Sequence, residues 1–485
     1  MITRCTHIVL HVVERRLFAR TSGVRLCSIL LLALSILGPD HRVFSQPERV
    51  NFAHLRHLTE HIVLNRDSVD IVHVYADYPS YNWVEAADAG VEGTACVDDA
   101  ARAAVLYLRH WLLTGDEGSM MSAKRLLKFV LAMQADDGEF YNFLYRDHTI
   151  NRTGRTSVKS FGWWAARAMW ALGTGAGAFE PTDPSFAARL RRAFLRGLAH
   201  VDTLLQRYGE VDTLKGFAVP RWLPYDSGAD VTSELLLGLT AYGSTEHDAA
   251  LRGRIRELAD GLMVMQDGSA GRRPWGVHRS WETQWHMWGN AQTQVLAEAG
   301  KALGDSDMIS SARREADGFF SRLLIDGFLK ECDLARPHSV RRFEQIAYGV
   351  RPMAVGLIRL YEATRERSYA IMAGLAGSWL FGNNILGRAM YDPSTGRCYD
   401  GITDSVSLNR NAGAESTIEA LLTVLEVEHV PEAMPYLTYR KVSSTTTKRL
   451  TEARFVDASG NEIIVGVSLP EGHLFIREHR SSENQ

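Results

Sequence analysis

The chain has 485 residues, of which 46% are hydrophobic and 23% charged, and its formal net charge is −3. This is the composition of a globular protein. With basic residues scattered rather than striped, it excludes a polyelectrolyte binder and argues against a nucleic-acid partner.

Residues 1–45 read as a targeting segment. Arg15, Arg16, Arg20 and Arg25 precede the apolar run Leu26 to Leu37, and Val43-Phe44-Ser45 before Gln46 has the look of a cleavage site. The run spans 12 residues, whereas a membrane span needs about 20. Export is expected, with no stable membrane span after processing. Cys5 and Cys27 fall in this segment. Cys96, Cys332 and Cys398 remain and show no CxxC spacing, so neither a disulfide framework nor a metal site is indicated, and no cofactor is expected.

From Glu48 onward, apolar residues at three- and four-residue spacing predict twelve helices, over approximately 49–65, 97–114, 117–134, 158–173, 184–207, 229–243, 246–266, 280–303, 305–325, 342–363, 366–382 and 412–427. Turn-like links such as Gly115-Asp116 and Gly304-Asp305-Ser306 join antiparallel neighbours. Odd segments carry many Arg, Lys and Glu. Even segments are poor in charge and rich in small residues, such as Ala100, Ala101, Ala103 and Ala104. Small side chains let a helix be approached from several sides, as an inner layer requires. The even helices are expected to start near Asp98, Ser160, Asp230, Glu282, Glu344 and Ala414, at intervals of 62, 70, 52, 62 and 70 residues. One outer and one inner helix per interval, six times over, predicts an all-α (α/α)6 toroid across 46–430, with every inner-helix N-terminus on one face. Residues 431–485 change character. Short strands near 437–442, 453–456, 462–467 and 473–477 predict a small β appendage. Two long loops, 69–90 and 385–411, are placed to cover one end of the ring.

The stretch Arg279 to Ala291, R-S-W-E-T-Q-W-H-M-W-G-N-A, crowds three tryptophans and a histidine around Glu282. It is expected to be a helix start capped by Ser280. The other inner-helix starts repeat the mixture of carboxylates, amides and aromatic rings. Those groups suit sugar recognition, in which hydroxyls pair with polar groups and pyranose faces stack on rings. The substrate-binding candidates are Trp83, Glu139, Tyr141, Trp163, Trp222, Tyr225, Asp230, Trp281, Trp285, His286, Gln345, Tyr348, Asp400 and Asn411. The expected partner is an oligo- or polysaccharide.

The motifs QADDGEFYNF, CVDDAARA, YDPSTGRCYDGI and NAGAESTIEALL, together with the hairpin count, resemble the six-hairpin glycosidase superfamily over roughly residues 50–430. That resemblance implies carbohydrate chemistry, although the fold also hosts lyases, epimerases and isoprenoid cyclases. Glycoside hydrolysis needs two carboxyl groups, one protonated and one ionised. Asp98 and Asp99, at a helix N-terminus, suit the ionised role. Glu282, desolvated by Trp281 and Trp285, is expected to be the acid, with Glu234 and Glu415 as alternatives. A lyase acting on a uronate is the rival enzyme and would draw on Tyr348, His278, His286 and Arg341. A non-catalytic glycan-binding protein is the rival of another class. Three weaker motifs read otherwise. Asp98-Asp99-Ala100-Ala101-Arg102 lacks the third acid of a diphosphate site, Gly173-x-Gly175-x-Gly177 follows a helix rather than a strand, and His54, His57 and His61 would share a helical face.

Overall fold

Charge-poor, small-residue sequence forms six long helices that carry the architecture. The computed structural model describes residues 49–481 apart from 245–247 and 337. The targeting segment 1–45, with Cys5 and Cys27, and the expected start of the helix at 246 therefore lie outside the described residues. The helices, in chain order, are α1 Ala53–Leu58, α2 Val97–Thr114, α3 Glu117–Ala132, α4 Trp163–Phe179, α5 Pro184–Leu205, α6 Ala229–Gly243, α7 Ala249–Val264, α8 Gln292–Leu303, α9 Ser306–Glu315, α10 Ser321–Asp326, α11 Val350–Thr364, α12 Arg367–Gly377 and α13 Ala414–Glu428. A five-residue π turn, Ala316–Phe320, joins α9 to α10.

The inner layer is α2, α4, α6, α8, α11 and α13. Each packs on the next, and α13 returns to α2, so the ring closes. Its tightest approach explains the glycines. A Cβ on Gly173 would run into the carbonyl oxygen of Gly238, and one on Gly238 would strike the backbone of Met169, so α4 and α6 touch backbone to backbone. Each inner helix except α13 continues into the outer helix that packs on it. Two of these links are built alike. Gly115 and Gly304 close α2 and α8 in the left-handed region, at φ 78 and 69, and Asp116 and Asp305 then cap α3 and α9. Among the described residues no helix is long and apolar enough to cross a membrane.

The first outer helix departs from expectation. Helix 49–65 shrinks to α1, and Thr59–Leu64 (β1) pairs antiparallel with Asp67–Val72 (β2). Asn65 and Arg66 both take positive φ, 51 and 71. That is the two-residue turn whose twist suits a hairpin, and β-branched Thr59, Ile62 and Val63 favour the strand. His61 therefore leaves the face shared by His54 and His57. No metal-holding group of His, Cys, Asp or Glu occurs among the described residues.

Three inner helices also start later than expected: α4 at Trp163, α8 at Gln292 and α11 at Val350. The chain before α8 is the largest change. Gln284–His286 is a strand paired with Glu331–Asp333, and Trp281 to Gln284 is a turn. Before α11, Gln345–Ile346 pairs with Gly401–Ile402 in the long 385–411 loop. In the other long loop, Tyr75–Asp77 (β3) pairs with Asn82–Val84 (β4).

At the C-terminus Arg440–Thr446 (β5), Leu450–Val456 (β6), Glu462–Ser468 (β7) and Leu474–His479 (β8) form a four-stranded antiparallel meander. Ala453, Phe455, Ile463, Val465 and Val467 face inward, and β6 and β7 pack on α10. Lys441 donates to the carbonyl oxygen of Ile325 at 3.0 Å, capping the end of α10.

Candidate active site

The first two turns of all six inner helices meet in one buried network, which also shows that these helices run in parallel. Arg102 of α2 donates through Nη2 to Asp99 Oδ1 at 2.7 Å and Glu415 Oε2 at 3.3 Å, through Nη1 to Glu419 Oε1 at 3.0 Å, and through Nε to the carbonyl of Asp98 at 3.3 Å. Arg351 of α11 donates through Nε to Glu419 Oε2 at 2.7 Å, through Nη2 to Glu234 of α6 at 2.7 Å and through Nη1 to Gln294 of α8 at 3.1 Å. Arg167 of α4 donates to Asp98 Oδ1 and to the hydroxyl of Tyr348. Arg102 and Arg167 also lie over the Tyr348 ring, at 5.0 and 5.3 Å from its centroid.

Most of this network is sealed, and two carboxylates are not. Side-chain exposure is 0% for Glu234 and Glu419 and 3% for Asp99, but 21% for Asp98 and 45% for Glu415. Asp98 and Glu415 therefore reach solvent at the N-terminal face. Their surroundings drive their proton affinities apart. Burial pushes the Glu415 carboxyl up to about 7; Asp99 and Asp98 add to the rise while Arg102 and Arg167 oppose it. Burial also works against the charge on Asp98, but Arg167 and Arg102 outweigh it and hold that carboxyl below its ordinary range. Asp99, sealed beneath, is raised by burial and by neighbouring Asp98 despite Arg102. Tyr75 of β3, whose hydroxyl donates to Asp88 at 3.0 Å, is raised by burial, by that bond, and by the charges of Asp88, Asp99 and Glu415, and its ring packs on Gly413, just before α13.

A second cluster lies across Trp163. Gly289 packs under the Trp163 ring and the Tyr348 hydroxyl, and the Tyr225 hydroxyl covers Gly162. Here His286 Nε2 and Asp230 Oδ2 share a hydrogen bond of 2.9 Å, and Trp288 stacks on the imidazole with centroids 4.0 Å apart. His286 Nδ1 has no protein partner among the described residues. Two strained turns form the outer edge: Tyr225, Asp226 and Glu282 all take positive φ, at 55, 64 and 46. The turns are tied together, because the Asp230 amide donates to Ser280 O at 3.0 Å and the Glu282 amide to Ser227 Oγ at 3.3 Å. They hold Tyr225 and Trp281 outward, 63% and 47% exposed.

No family model matches the chain, and no curated protein matches it. Solved structures do. Cellobiose 2-epimerase from Bacillus thermoamylovorans is similar with a TM-score of 0.54 at 11% identity, over 78% of this chain and 95% of that one. A sugar epimerase from a ruminal bacterium is similar with a TM-score of 0.51 at 12% identity, over 74% of this chain and 92% of that one. The fold is the six-hairpin (α/α)6 toroid.

On the toroid, the sequence-predicted residues separate cleanly. The N-terminal face gathers Asp98, Asp99, Glu415, Trp163, Tyr348, Tyr225, Asp230, Trp281 and His286. Glu282 shares this face but not the surroundings expected of it. It is exposed, on a turn rather than a helix start, and Trp285 turns away from it into the core against Phe319. Glu234 is not an available acid either, being sealed against Arg351. Trp222 is buried and donates to Glu257 O at 2.8 Å, and Gln345 is buried, donating to Phe328 O at 2.9 Å. Both are structural.

Asp400 braces the start of α13 by accepting from the Gly413 amide at 3.0 Å and from the Ser416 hydroxyl, and burial raises its carboxyl. Asn411 accepts from the Tyr78 amide at 3.0 Å. Trp83 stacks on His73 with centroids 3.7 Å apart. Glu139, paired with Lys159 at 3.1 Å, and Tyr141, under Arg152 at 4.5 Å, line or flank a separate groove of about 380 Å³. His278, invoked for a lyase, is fully buried against Glu315 at 2.7 Å, and Arg341 pairs with Glu331 at 2.7 Å on another strand.

Sequence reasoning did not single out Arg167, Arg351, Glu419 or Tyr75 for the site. The signal for three of them was present. Arg167 and Arg351 are charges on otherwise charge-poor inner helices, and Glu419 follows Glu415 by one turn.

Proposed function

We propose that this protein is a glycoside hydrolase in which Glu415 is the general acid and Asp98 the ionised carboxylate. The carrying observation is this pair, both reaching solvent at the N-terminal face and both facing Arg102 and Arg167, with one proton affinity raised to about 7 and the other lowered. Environments that push two carboxyls apart in this way assign the roles of acid and base. Protonated Glu415 delivers its proton to the glycosidic oxygen as the bond to the anomeric carbon breaks. Asp98 then either attacks that carbon or activates the water that does, and the separation of the two carboxyls in the substrate complex decides which. Trp163, Tyr225 and Trp281 offer flat faces on which sugar rings stack.

The electrostatics favour a neutral glycan over a uronate. A uronate-cleaving site must neutralise the substrate carboxylate, and the three guanidinium groups of this network, Arg102, Arg167 and Arg351, are already paired with carboxylates. The His286–Asp230 pair favours a second reading, proton abstraction from a sugar carbon, which would make the protein a lyase or an epimerase.

A panel of neutral and uronic glycans separates these readings. Hydrolysis releases reducing ends without an ultraviolet-absorbing double bond, and Asp98→Asn and Glu415→Gln both abolish it. Elimination creates the double bond, while epimerisation changes the sugar without cleaving the chain; loss of either with His286→Ala would replace the hydrolase reading. Retained glycan binding without turnover would make the protein a binding module. The basic-then-apolar N-terminus supports export, tested by sequencing the secreted protein for a start near Gln46.

A further inference from the structure

Glu419 lies one helical turn after Glu415 on α13, so both reach toward the same side. Their situations differ completely: Glu415 reaches solvent with 45% of its side chain exposed, and Glu419 has none exposed. Both meet Arg102, but unequally. The guanidinium holds Asp99 at 2.7 Å and Glu419 at 3.0 Å, and its contact with Glu415 is the longest of the three carboxylate contacts, at 3.3 Å. Glu419 is itself fixed from behind by Arg351 at 2.7 Å, and Arg351 by Glu234. A chain of buried ion pairs therefore runs Glu234–Arg351–Glu419–Arg102 and ends on the solvent-reaching carboxyl of Glu415.

We infer that Glu419 is a positioning residue: by holding Nη1 of Arg102 it keeps the guanidinium from closing on Glu415, and so leaves the Glu415 carboxyl free to keep and deliver its proton. This rests on the hydrolase reading for the use of the proton, but the geometry that holds Arg102 does not. The other groups facing Glu415 do not replace the restraint. Asp98 and Asp99 from α2 oppose its ionisation, Arg167 from α4 favours it but is held by Asp98, and Tyr75 from β3 is neutral with its hydroxyl given to Asp88. Tyr348, beside α11, accepts from Arg167, and Asp400, before α13, is occupied by Gly413 and Ser416. Removing the Glu419 charge releases Arg102 toward Glu415 and leaves Arg351 with less compensation. Both changes stabilise ionised Glu415.

The test is a carboxyl-carbon NMR titration of glutamate-labelled protein, with the Glu415 signal assigned by its loss in Glu415→Gln, beside pH profiles of kcat/KM. In Glu419→Gln the Glu415 midpoint is expected to fall by about one pH unit or more, and the alkaline limb of kcat/KM to move down with it. Glu419→Asp, which draws the charge back by one methylene, gives a smaller shift in the same direction and serves if the amide variant does not fold. A midpoint unmoved in whichever of these variants folds overturns the proposal, even if activity drops uniformly across pH. The hydrolase reading fails separately, if Glu415→Gln retains the parent's activity, and the NMR midpoint still decides the role of Glu419.

Discussion

The pH dependence of turnover tests the acid–base assignment most directly. With Asp98 held below its ordinary range and Glu415 near 7, the productive state, Asp98 ionised and Glu415 protonated, is populated from mildly acidic pH up to neutrality. Above about 7 the protonated fraction of Glu415 falls tenfold per pH unit, and kcat/KM should fall with it. Glu415→Gln removes the proton donor and its titration together. The expected loss at the optimum is about 10²–10⁴-fold, or roughly 2.7–5.4 kcal/mol of barrier, and the alkaline limb should vanish. A glycoside whose leaving group needs no proton isolates the cause: on a nitrophenyl glycoside the loss should shrink, because only proton delivery has been removed. The assay is initial-rate kinetics across pH on both substrate types, with circular dichroism to confirm folding. An alkaline limb that persists in Glu415→Gln would refute the assignment. So would an equal loss on both substrate types, which would mean that the residue shapes the cleft rather than donating a proton.

Other expectations follow from packing and charge. Arg351→Met should cost about 3–5 kcal/mol in urea unfolding, because Glu234 and Glu419 lose their shared cation while buried; a cost below about 1 kcal/mol would mean that the layer is not sealed. Gly238→Ala forces a methyl against the Met169 backbone and should lower stability by about 1–3 kcal/mol, visible as a lower thermal midpoint. Trp281→Ala and Tyr225→Ala should each raise KM for long glycans by roughly tenfold, equivalent to about 1.4 kcal/mol of stacking, with kcat largely kept. Glu415 also links stability to pH. Its folded value of about 7 lies above the ordinary glutamate value of 4.5, so between those pH values the folded state keeps a proton that the unfolded chain has lost, and stability declines as pH rises. Nearly half exposed, the group is screened, and about 1–2 kcal/mol remains of the unscreened difference. Glu415→Gln, neutral throughout, should therefore gain that much relative to the parent between pH 4.5 and 7. A constant difference across this range would exclude the linkage.

The toroid was legible because its requirements are periodic. Inner helices must be small and uncharged where they touch, and the Ala100–Ala104 region meets that need in plain view; Gly173, Gly175 and Gly177, expected to follow a helix, instead lie inside α4, where Gly173 packs on the backbone of α6. Asp98 and Glu415 were legible as helix-start carboxylates for the same reason. Their roles were less legible, because a carboxyl's proton affinity depends on which cations face it across the ring. Arg167 lies 69 residues from Asp98, and Arg102 lies 313 from Glu415. No local pattern connects them.

The Arg279–Ala291 stretch misled for an instructive reason. Its aromatic residues recur at helical spacing, and Ser280 sits where a cap belongs, so local preference points to a helix. Pairing of Gln284–His286 with Glu331–Asp333 overrides that preference. As a strand, Trp285 and His286 point to opposite sides: Trp285 into the core against Phe319, His286 toward Asp230. A helix would have swept these side chains around its axis, whereas the strand and its strained turn separate them. Glu282 and Trp281 stay at the edge and His286 goes inward. The aromatic surface expected around a single acid is thereby divided between the core, the imidazole stack and the rim, and the acid with the raised proton affinity arises elsewhere on the ring, where α13 brings Glu415 to the buried guanidinium of Arg102.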